Sequence, residues 1–198
     1  MSIFASILRS VYKLSGAKKA FALPEDALRK EIEKQNRHRG VFTPTDHKAY
    51  YETIAAHNNA QPEPLPQPRH IVAVSPGEVP WNDGEKSRMK ALNERDVSID
   101  YAFMVTVEKI MRHGCENVPD YMLSGSRGDF TGVGDIHFFY SADEVLYGAL
   151  PDFENACKRA NVPYTVSARP KMVHCYCMLP IFKEAKEDFA KIVDILKK

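Results

Sequence analysis

The sequence has no excess of either charge. Its 27 lysines and arginines nearly balance its 26 aspartates and glutamates, which leaves a net charge of +1 over 198 residues. Proteins that bind nucleic acids or anionic membranes draw much of their affinity from a surplus of positive charge. A polyanionic partner, nucleic acid above all, is therefore not expected. The hydrophobic content of 44% is sufficient to build the core of one compact domain.

The sequence also lacks a cysteine pattern typical of disulfides or of a zinc site. Its four cysteines, Cys115, Cys157, Cys175 and Cys177, form no double pair and follow no secretory leader. We therefore expect reduced thiols in a cytoplasmic protein. His174 stands beside Cys175, but alternating residues of one loop rarely supply enough convergent ligands for a metal ion. We expect buried thiols here, with no metal and no cofactor.

No hydrophobic run in the sequence is long enough to cross a membrane. The first residues are mainly apolar, but Arg9 and Lys13 interrupt them at helical spacing, which is not typical of a signal peptide. The apolar residues of this segment recur every three to four positions. This period predicts an amphipathic helix that ends near Gly16.

The first 60 residues are predicted to form a helical segment. Pro24 suits the first turn of a second helix, which ends before Gly40, and Thr45 suits the N-cap of a third. Prolines at every second position from Pro62 to Pro68 then impose an extended connector. We therefore divide the chain into an N-terminal helical segment, residues 1–60, and a second part, residues 61–198.

Strands and helices alternate in the second part of the chain. Apolar runs predict strands at residues 70–75, 136–140 and 164–167, the first of them buried on both faces. Helical periodicity predicts helices at residues 85–92, 99–112, 150–160 and 184–196. Such an alternation is typical of parallel strands joined by right-handed crossovers. The predicted fold class is α/β, with about three parallel strands and flanking helices.

Reactive side chains follow two of these strands. Asp143 and Glu144 come directly after the strand at residues 136–140, and His174 follows the strand at residues 164–167. Catalytic groups in parallel sheets gather at the carboxyl ends of the strands. An acid bonded to a histidine fixes its tautomer and stabilises its protonated form. The pattern therefore indicates an acid–histidine pair, although a structural histidine and a solvated acidic loop are the ordinary alternatives.

The residues around this pair resemble a known family. The segment DIHFFYSADEVLYGALPDFENACKRANVPYTVSARPKMVHCYCMLPIFKEAKE is similar to the C-terminal part of α/β-hydrolase fold-3 esterases, the group related to hormone-sensitive lipase. The helices before Tyr51 resemble the cap-forming segment of these enzymes, and HNNAQPEPLPQPRHIVAVSPG resembles the strand that follows their nucleophile helix. The resemblance implies a partial α/β-hydrolase fold. It also implies that His174 is the catalytic histidine and Glu144 the acid, with Asp143 as the competing choice.

Two motifs of that family are missing from the sequence. Neither the HGGG-type oxyanion loop nor the GxSxG nucleophile elbow is present, and a central block is absent near Ile54. The nearest match, Ser124–Gly128, has serine in place of the first glycine and stands before a strand. The resemblance therefore implies a carboxylic-ester hydrolase lineage, for small acyl or acetyl esters, that is inactive as it stands. There are two alternatives to this interpretation. The chain could be a non-catalytic protein that binds an apolar ligand or a partner, or a deletion product without function.

The same absence predicts an exposed sheet edge. Parallel sheets are normally buried on both faces, and unpaired strand edges associate readily. We expect either the N-terminal helices or a second copy of the chain to cover this edge. The result would be a monomer or a homodimer.

Overall fold

The computed structural model describes residues 2–39, 68–112 and 118–198. The predicted helix at Thr45, most of the proline connector, the segment boundary at residue 60 and Cys115 lie outside these ranges. No helix within them is long and apolar enough to span a membrane.

Three parallel strands form the sheet at the centre of the described chain. They are β1 (His70–Val74), β2 (Asp135–Ser141) and β3 (Tyr164–Arg169), in the order β1-β2-β3. Their positions and their parallel pairing confirm the predicted strands. The predicted burial of β1 on both faces is wrong, because all five of its residues are only half-buried. In this sheet β1 has a partner strand on one side only.

Helices precede the sheet and connect its strands. In chain order they are α1 (Ile3–Ser15), α2 (Ala17–Phe21), α3 (Glu25–Arg39), α4 (Asp83–Leu92), α5 (Tyr101–Arg112), α6 (Asp120–Leu123), α7 (Leu150–Ala160) and α8 (Lys183–Leu196). Short 3-10 helices lie at Gly125–Arg127, Val145–Ala149 and Tyr176–Met178. The predicted helices that fall within the described residues are confirmed to within two residues at each end. The short helices α2 and α6 are additions to the prediction.

The two faces of β2 carry two separate hydrophobic clusters. Phe138 points into a cluster with Met89 of α4 and Phe153 of α7. The next residue, Phe139, points the opposite way, as alternate residues of a strand do. It joins a cluster that includes Ala5 of α1 and residues of α8. The N-terminal helix therefore packs on the same face of the sheet as the C-terminal helix.

Candidate functional site

The acid–histidine pair forms at the carboxyl edge of the sheet. Glu144 follows β2 and His174 follows β3, and because these strands run parallel their loops meet at one edge. His174 Nδ1 lies 2.8 Å from Glu144 Oε2. The Glu144 side chain is 1% exposed and that of His174 is 32% exposed. A buried carboxylate thus orients an imidazole that solvent still reaches.

Other donors hold the Glu144 carboxylate in place. Its Oε1 accepts a hydrogen bond from Ser75 Oγ at 2.8 Å and another from the Ser141 backbone N–H at 3.0 Å. Burial raises the pKa of the Glu144 carboxyl, while the hydrogen bonds from His174 and Ser75 oppose that rise. The carboxylate is therefore fixed by groups from the ends of all three strands.

Asp143, the competing acid, points away from His174. Its carboxylate pairs with Arg95 and, at 3.4 Å, with Arg9 of α1. Its Oδ2 also accepts the Lys171 backbone N–H at 3.1 Å. Asp143 therefore joins the N-terminal helix to the loops after β2 and β3, and Glu144 is the residue that contacts the imidazole.

The thiol of Cys175 faces the second nitrogen of the imidazole. Cys175 Sγ lies 3.2 Å from His174 Nε2, and the Cys175 backbone N–H donates to Ser75 Oγ at 3.1 Å. Cys177 is buried as predicted, but Cys175 is only partly buried, so the prediction of a buried thiol is wrong for this residue. The sequence signal was its position directly after His174, and its contact depends on the backbone conformation there.

Two residues of this site have left-handed backbone conformations that are uncommon outside glycine. Ser75 has φ of 44° and Cys175 has φ of 53°. Such conformations carry a cost of about 1–3 kcal/mol each and persist where the surrounding structure enforces them. Here the two residues are joined by the Cys175 N–H to Ser75 Oγ hydrogen bond. Two of the four non-glycine residues with positive φ in the described chain therefore lie beside the acid–histidine pair.

The contacts of His174 change its protonation. Burial lowers the pKa of His174, but the hydrogen bonds with Cys175 and Glu144 and the charge of the Glu144 carboxylate outweigh burial and raise it to about 10. The imidazole is consequently protonated at neutral pH. A general base must be unprotonated at the working pH, so this state is unsuited to accepting a proton.

The serines that could act as a nucleophile beside His174 form hydrogen bonds with other groups. Ser75 Oγ donates to Glu144, and Ser98 Oγ accepts the His174 backbone N–H at 3.2 Å. Ser126, the central serine of the near-match to the elbow motif, donates from Oγ to Glu78 Oε1 at 2.6 Å and from its backbone N–H to Glu78 Oε2 at 2.7 Å. In the described part of the chain, the hydrogen-bonding partner of His174 Nε2 is therefore a thiol and not one of these hydroxyls.

A buried aspartate that the sequence did not single out supports the loop of Glu144. Asp96 Oδ1 accepts the backbone N–H groups of Ser98 and Ile99, at 2.7 Å and 3.0 Å. Its Oδ2 accepts the backbone N–H of Val145 at 2.7 Å. Asp96 therefore ties the segment before α5 to the residue that follows Glu144.

A second buried aspartate anchors the loop of His174. Asp188 of α8 accepts a hydrogen bond from Tyr176 Oη at 2.5 Å, pairs with Arg169 at the end of β3, and contacts Lys191 Nζ at 2.8 Å. Burial opposes ionisation of Asp188, but these donors outweigh it and hold its pKa at about 2. The carboxylate thereby fixes both ends of the loop that carries His174.

The thiols of this loop are poor candidates for a metal centre. Burial raises the pKa of the Cys177 thiol to about 12. Because the thiolate is the form that binds metals, Cys177 would have to lose a tightly held proton first. The arrangement therefore does not favour zinc at His174, Cys175 and Cys177.

The fold of the chain is similar to that of several solved structures. A hormone-sensitive lipase from a metagenome library matches 74% of this chain with 18% identity and a TM-score of 0.57, over 48% of the lipase. An esterase from the bacterial hormone-sensitive lipase family matches 72% of this chain with 20% identity and a TM-score of 0.55, over 46% of the esterase. The hormone-sensitive lipase homologue EstE7 matches 72% of this chain with 18% identity and a TM-score of 0.56, over 47% of that protein.

These matches show which fold the chain has and how much of that fold it contains. No protein-family model matches the sequence, and no curated protein matches it either. The chain spans about half the length of the solved structures that it resembles. The predicted fold class is confirmed: the chain has part of an α/β-hydrolase fold, with three parallel strands and flanking helices.

Proposed function

We propose that this chain descends from esterases of the hormone-sensitive lipase type and does not hydrolyse esters by their serine mechanism. It retains the acid and histidine roles in Glu144 and His174, and it has no serine nucleophile. The observation that carries the proposal is the partner of His174 Nε2, which is Cys175 Sγ at 3.2 Å. In a serine hydrolase this nitrogen takes the proton of the attacking serine.

Three requirements of acyl transfer support the same conclusion. The sequence contains no GxSxG and no HGGG motif, so the usual nucleophile and oxyanion donors are both absent from it. Removal of a single oxyanion donor already lowers the rate by about 10²–10³-fold. The raised pKa of His174, about 10, in addition keeps the imidazole protonated at neutral pH. Small acyl or acetyl esters are the substrates that the resemblance implies for this lineage, and we expect the chain not to turn them over.

Incubation of the purified chain with p-nitrophenyl acetate and butyrate tests this proposal. We expect no steady hydrolysis above that of the matched variant His174→Ala, and no serine labelled by a fluorophosphonate probe. Steady turnover that His174→Ala abolishes would overturn the proposal. Loss of that turnover in Cys175→Ala, with its retention in Cys177→Ala, would then assign the attacking atom to the Cys175 thiol.

A second candidate function is the binding of an apolar ligand without catalysis. A groove of about 610 Å³ lies between α4, α7 and β3, a volume typical of small-molecule sites. Its lining is mostly apolar and consists of Arg88, Ala91, Leu92, Tyr147, Gly148, Leu150, Pro151, Glu154 and Val166. The groove contains neither His174 nor Glu144, so binding there is separable from the acid–histidine pair.

Calorimetric titration with a medium-chain fatty acid tests the binding function. Ala91→Trp places a large side chain in the groove and should abolish the binding. The matched control, Val105→Trp, changes an exposed residue of α5 outside the groove lining and should preserve it. Equal binding by both variants, or none by the unmodified chain, would exclude the groove as the site.

We also propose that the chain self-associates through β1, the edge strand of the described sheet. Within the described sheet β1 pairs with β2 alone, and its five residues are half-buried. An edge of this kind offers free backbone donors and acceptors to a second chain. Light scattering after size-exclusion chromatography should give twice the monomer mass, and the monomer mass at every concentration would contradict a dimer.

A further inference from the structure

We propose that His70, Asp135 and His137 bind a divalent transition metal ion of the Zn²⁺ class at the amino end of the sheet. His70 is the first residue of β1, and in the parallel register it faces Asp135, the first residue of β2. His137 stands two residues further along β2, so it projects from the same face as Asp135. Strand pairing therefore brings two imidazoles and one carboxylate to one place.

The ligand atoms of these residues are already close to the separations that zinc requires. His70 Nδ1 lies 2.7 Å from Asp135 Oδ1, and His137 Nε2 lies 3.2 Å from the same oxygen. All three atoms lie within 4.8 Å of one another. Zinc bonds of about 2.0–2.2 Å in tetrahedral geometry place ligand atoms about 3.3 Å apart. Small side-chain rotations would therefore admit the ion between them.

The neighbouring strand supplies a group that can orient one of the ligands. Thr165 of β3 is in register with His137, and its Oγ1 lies 2.8 Å from His137 Nδ1. A threonine hydroxyl both donates and accepts, so it can accept the Nδ1–H and leave Nε2 with a free lone pair. Metal-bound histidines usually make such a contact through their second nitrogen, and it fixes the tautomer that binds the ion.

A close approach of the backbone holds β1 and β2 together beside this group. The backbone N–H of Asp135 donates to the Arg69 carbonyl at 3.1 Å. A Cβ atom on Gly134 would lie 2.0 Å from that carbonyl oxygen, so only glycine permits this contact. His70 and Asp135 are thus positioned by rigid paired backbone and not by mobile loops, as a preformed site needs.

The donor set and its exposure select the class of ion. Imidazole nitrogens suit zinc, copper, iron and nickel, whereas calcium and magnesium prefer oxygen ligands. The side chains of His70, Asp135 and His137 are 20%, 30% and 14% exposed, which lets an ion enter from solvent. Three protein ligands would leave a fourth position for water. The site is also distinct from the acid–histidine pair. The pair lies at the carboxyl end of the strands, and the seven residues of β2 place that end about 20 Å from the amino end.

Titration of the 198-residue chain with Zn²⁺ and Co²⁺ tests the proposal. We expect one equivalent of Zn²⁺ by calorimetry, and a visible Co²⁺ spectrum without the near-ultraviolet band of a thiolate ligand. Asp135→Asn and His70→Ala should abolish the binding. Thr165→Val, at an exposed position, should weaken it by about 10–100-fold, the usual effect of removing such an orienting group.

A control variant separates this site from His174 and Cys175 at the opposite end of the sheet. The double variant His174→Gln, Cys175→Ser should bind Zn²⁺ as the unmodified chain does, and circular dichroism should show that each variant remains folded. Full binding by folded Asp135→Asn and His70→Ala, a thiolate band with Co²⁺, or no binding by the unmodified chain would overturn the proposal. A Thr165→Val variant of unchanged affinity would remove the assigned role of Thr165.

Discussion

Replacing His174 by glutamine should remove a large part of the pH dependence of stability on the alkaline side. In the folded chain the pKa of His174 is raised from 6.5 to about 10. The folded chain therefore holds this proton more tightly than the unfolded chain does. The resulting stabilisation is complete below about pH 6.5, and it is lost as the pH rises towards 10.

The expected magnitude follows from that interval. At about 1.36 kcal/mol for each pH unit, the interval between 6.5 and about 10 sets an upper limit of about 5 kcal/mol. The His174 side chain is 32% exposed, so water screens part of its interaction with Glu144. We therefore expect His174 to contribute about 2 kcal/mol to the free energy of unfolding at neutral pH.

Urea unfolding followed by circular dichroism, from about pH 6 to about pH 10, measures this contribution. Other groups that titrate in this range, such as Glu85 with a pKa of about 8, affect both proteins and cancel in the comparison. The free energy of unfolding of the unmodified chain should fall by about 2 kcal/mol more than that of His174→Gln. The control Val105→Gln changes an exposed, non-titrating residue of α5 and should retain the slope. Parallel curves for the unmodified chain and His174→Gln would refute the reasoning.

Two further changes test the buried carboxylates. Asp188→Asn should lower the free energy of unfolding at neutral pH by about 3 kcal/mol, because it leaves the Arg169 guanidinium without its buried partner. Since the pKa of Asp188 is held at about 2, the unmodified chain should lose this contribution as the pH falls below about 4. Urea unfolding at neutral pH and below about pH 4 measures both effects. Burial and the nearby Glu78 raise the pKa of Glu85 to about 8, so the unmodified chain loses stability as this carboxyl ionises. Glu85→Gln should therefore flatten the dependence of the free energy of unfolding on pH between pH 4.5 and about 8. An unchanged dependence in that range would contradict the interaction of the buried Glu78 and Glu85 carboxyls.

The pattern of strands and helices could be predicted from the sequence because it depends on local periodicity. The helix α7, Leu150–Ala160, matches its predicted bounds, with Pro151 in its first turn and apolar residues at helical spacing. The five-residue helix α2 was missed because so short a segment shows no period. The predicted burial of β1 is wrong because an apolar run looks the same in a central strand and in an edge strand. Only the pairing of strands distinguishes the two.

The candidate site was predictable only in part. The positions of Glu144 and His174 after two parallel strands indicated that they would meet, since parallel strands end at one edge. The choice between Asp143 and Glu144 depended on the direction of two adjacent side chains in a loop, which no sequence period describes. The contact of Cys175 with His174 depended on a left-handed residue, with φ of 53°.

The sequence by itself determined the fold class, the alternation of strands and helices, and the absence of the serine motifs, because each of these is written in local composition and spacing. Only the tertiary structure decided that Glu144, and not Asp143, contacts the imidazole, and that a thiol faces its second nitrogen. It alone also brought His70 beside Asp135, residues that are 65 positions apart. Contacts between distant residues depend on strand register, and register is a property of the folded sheet.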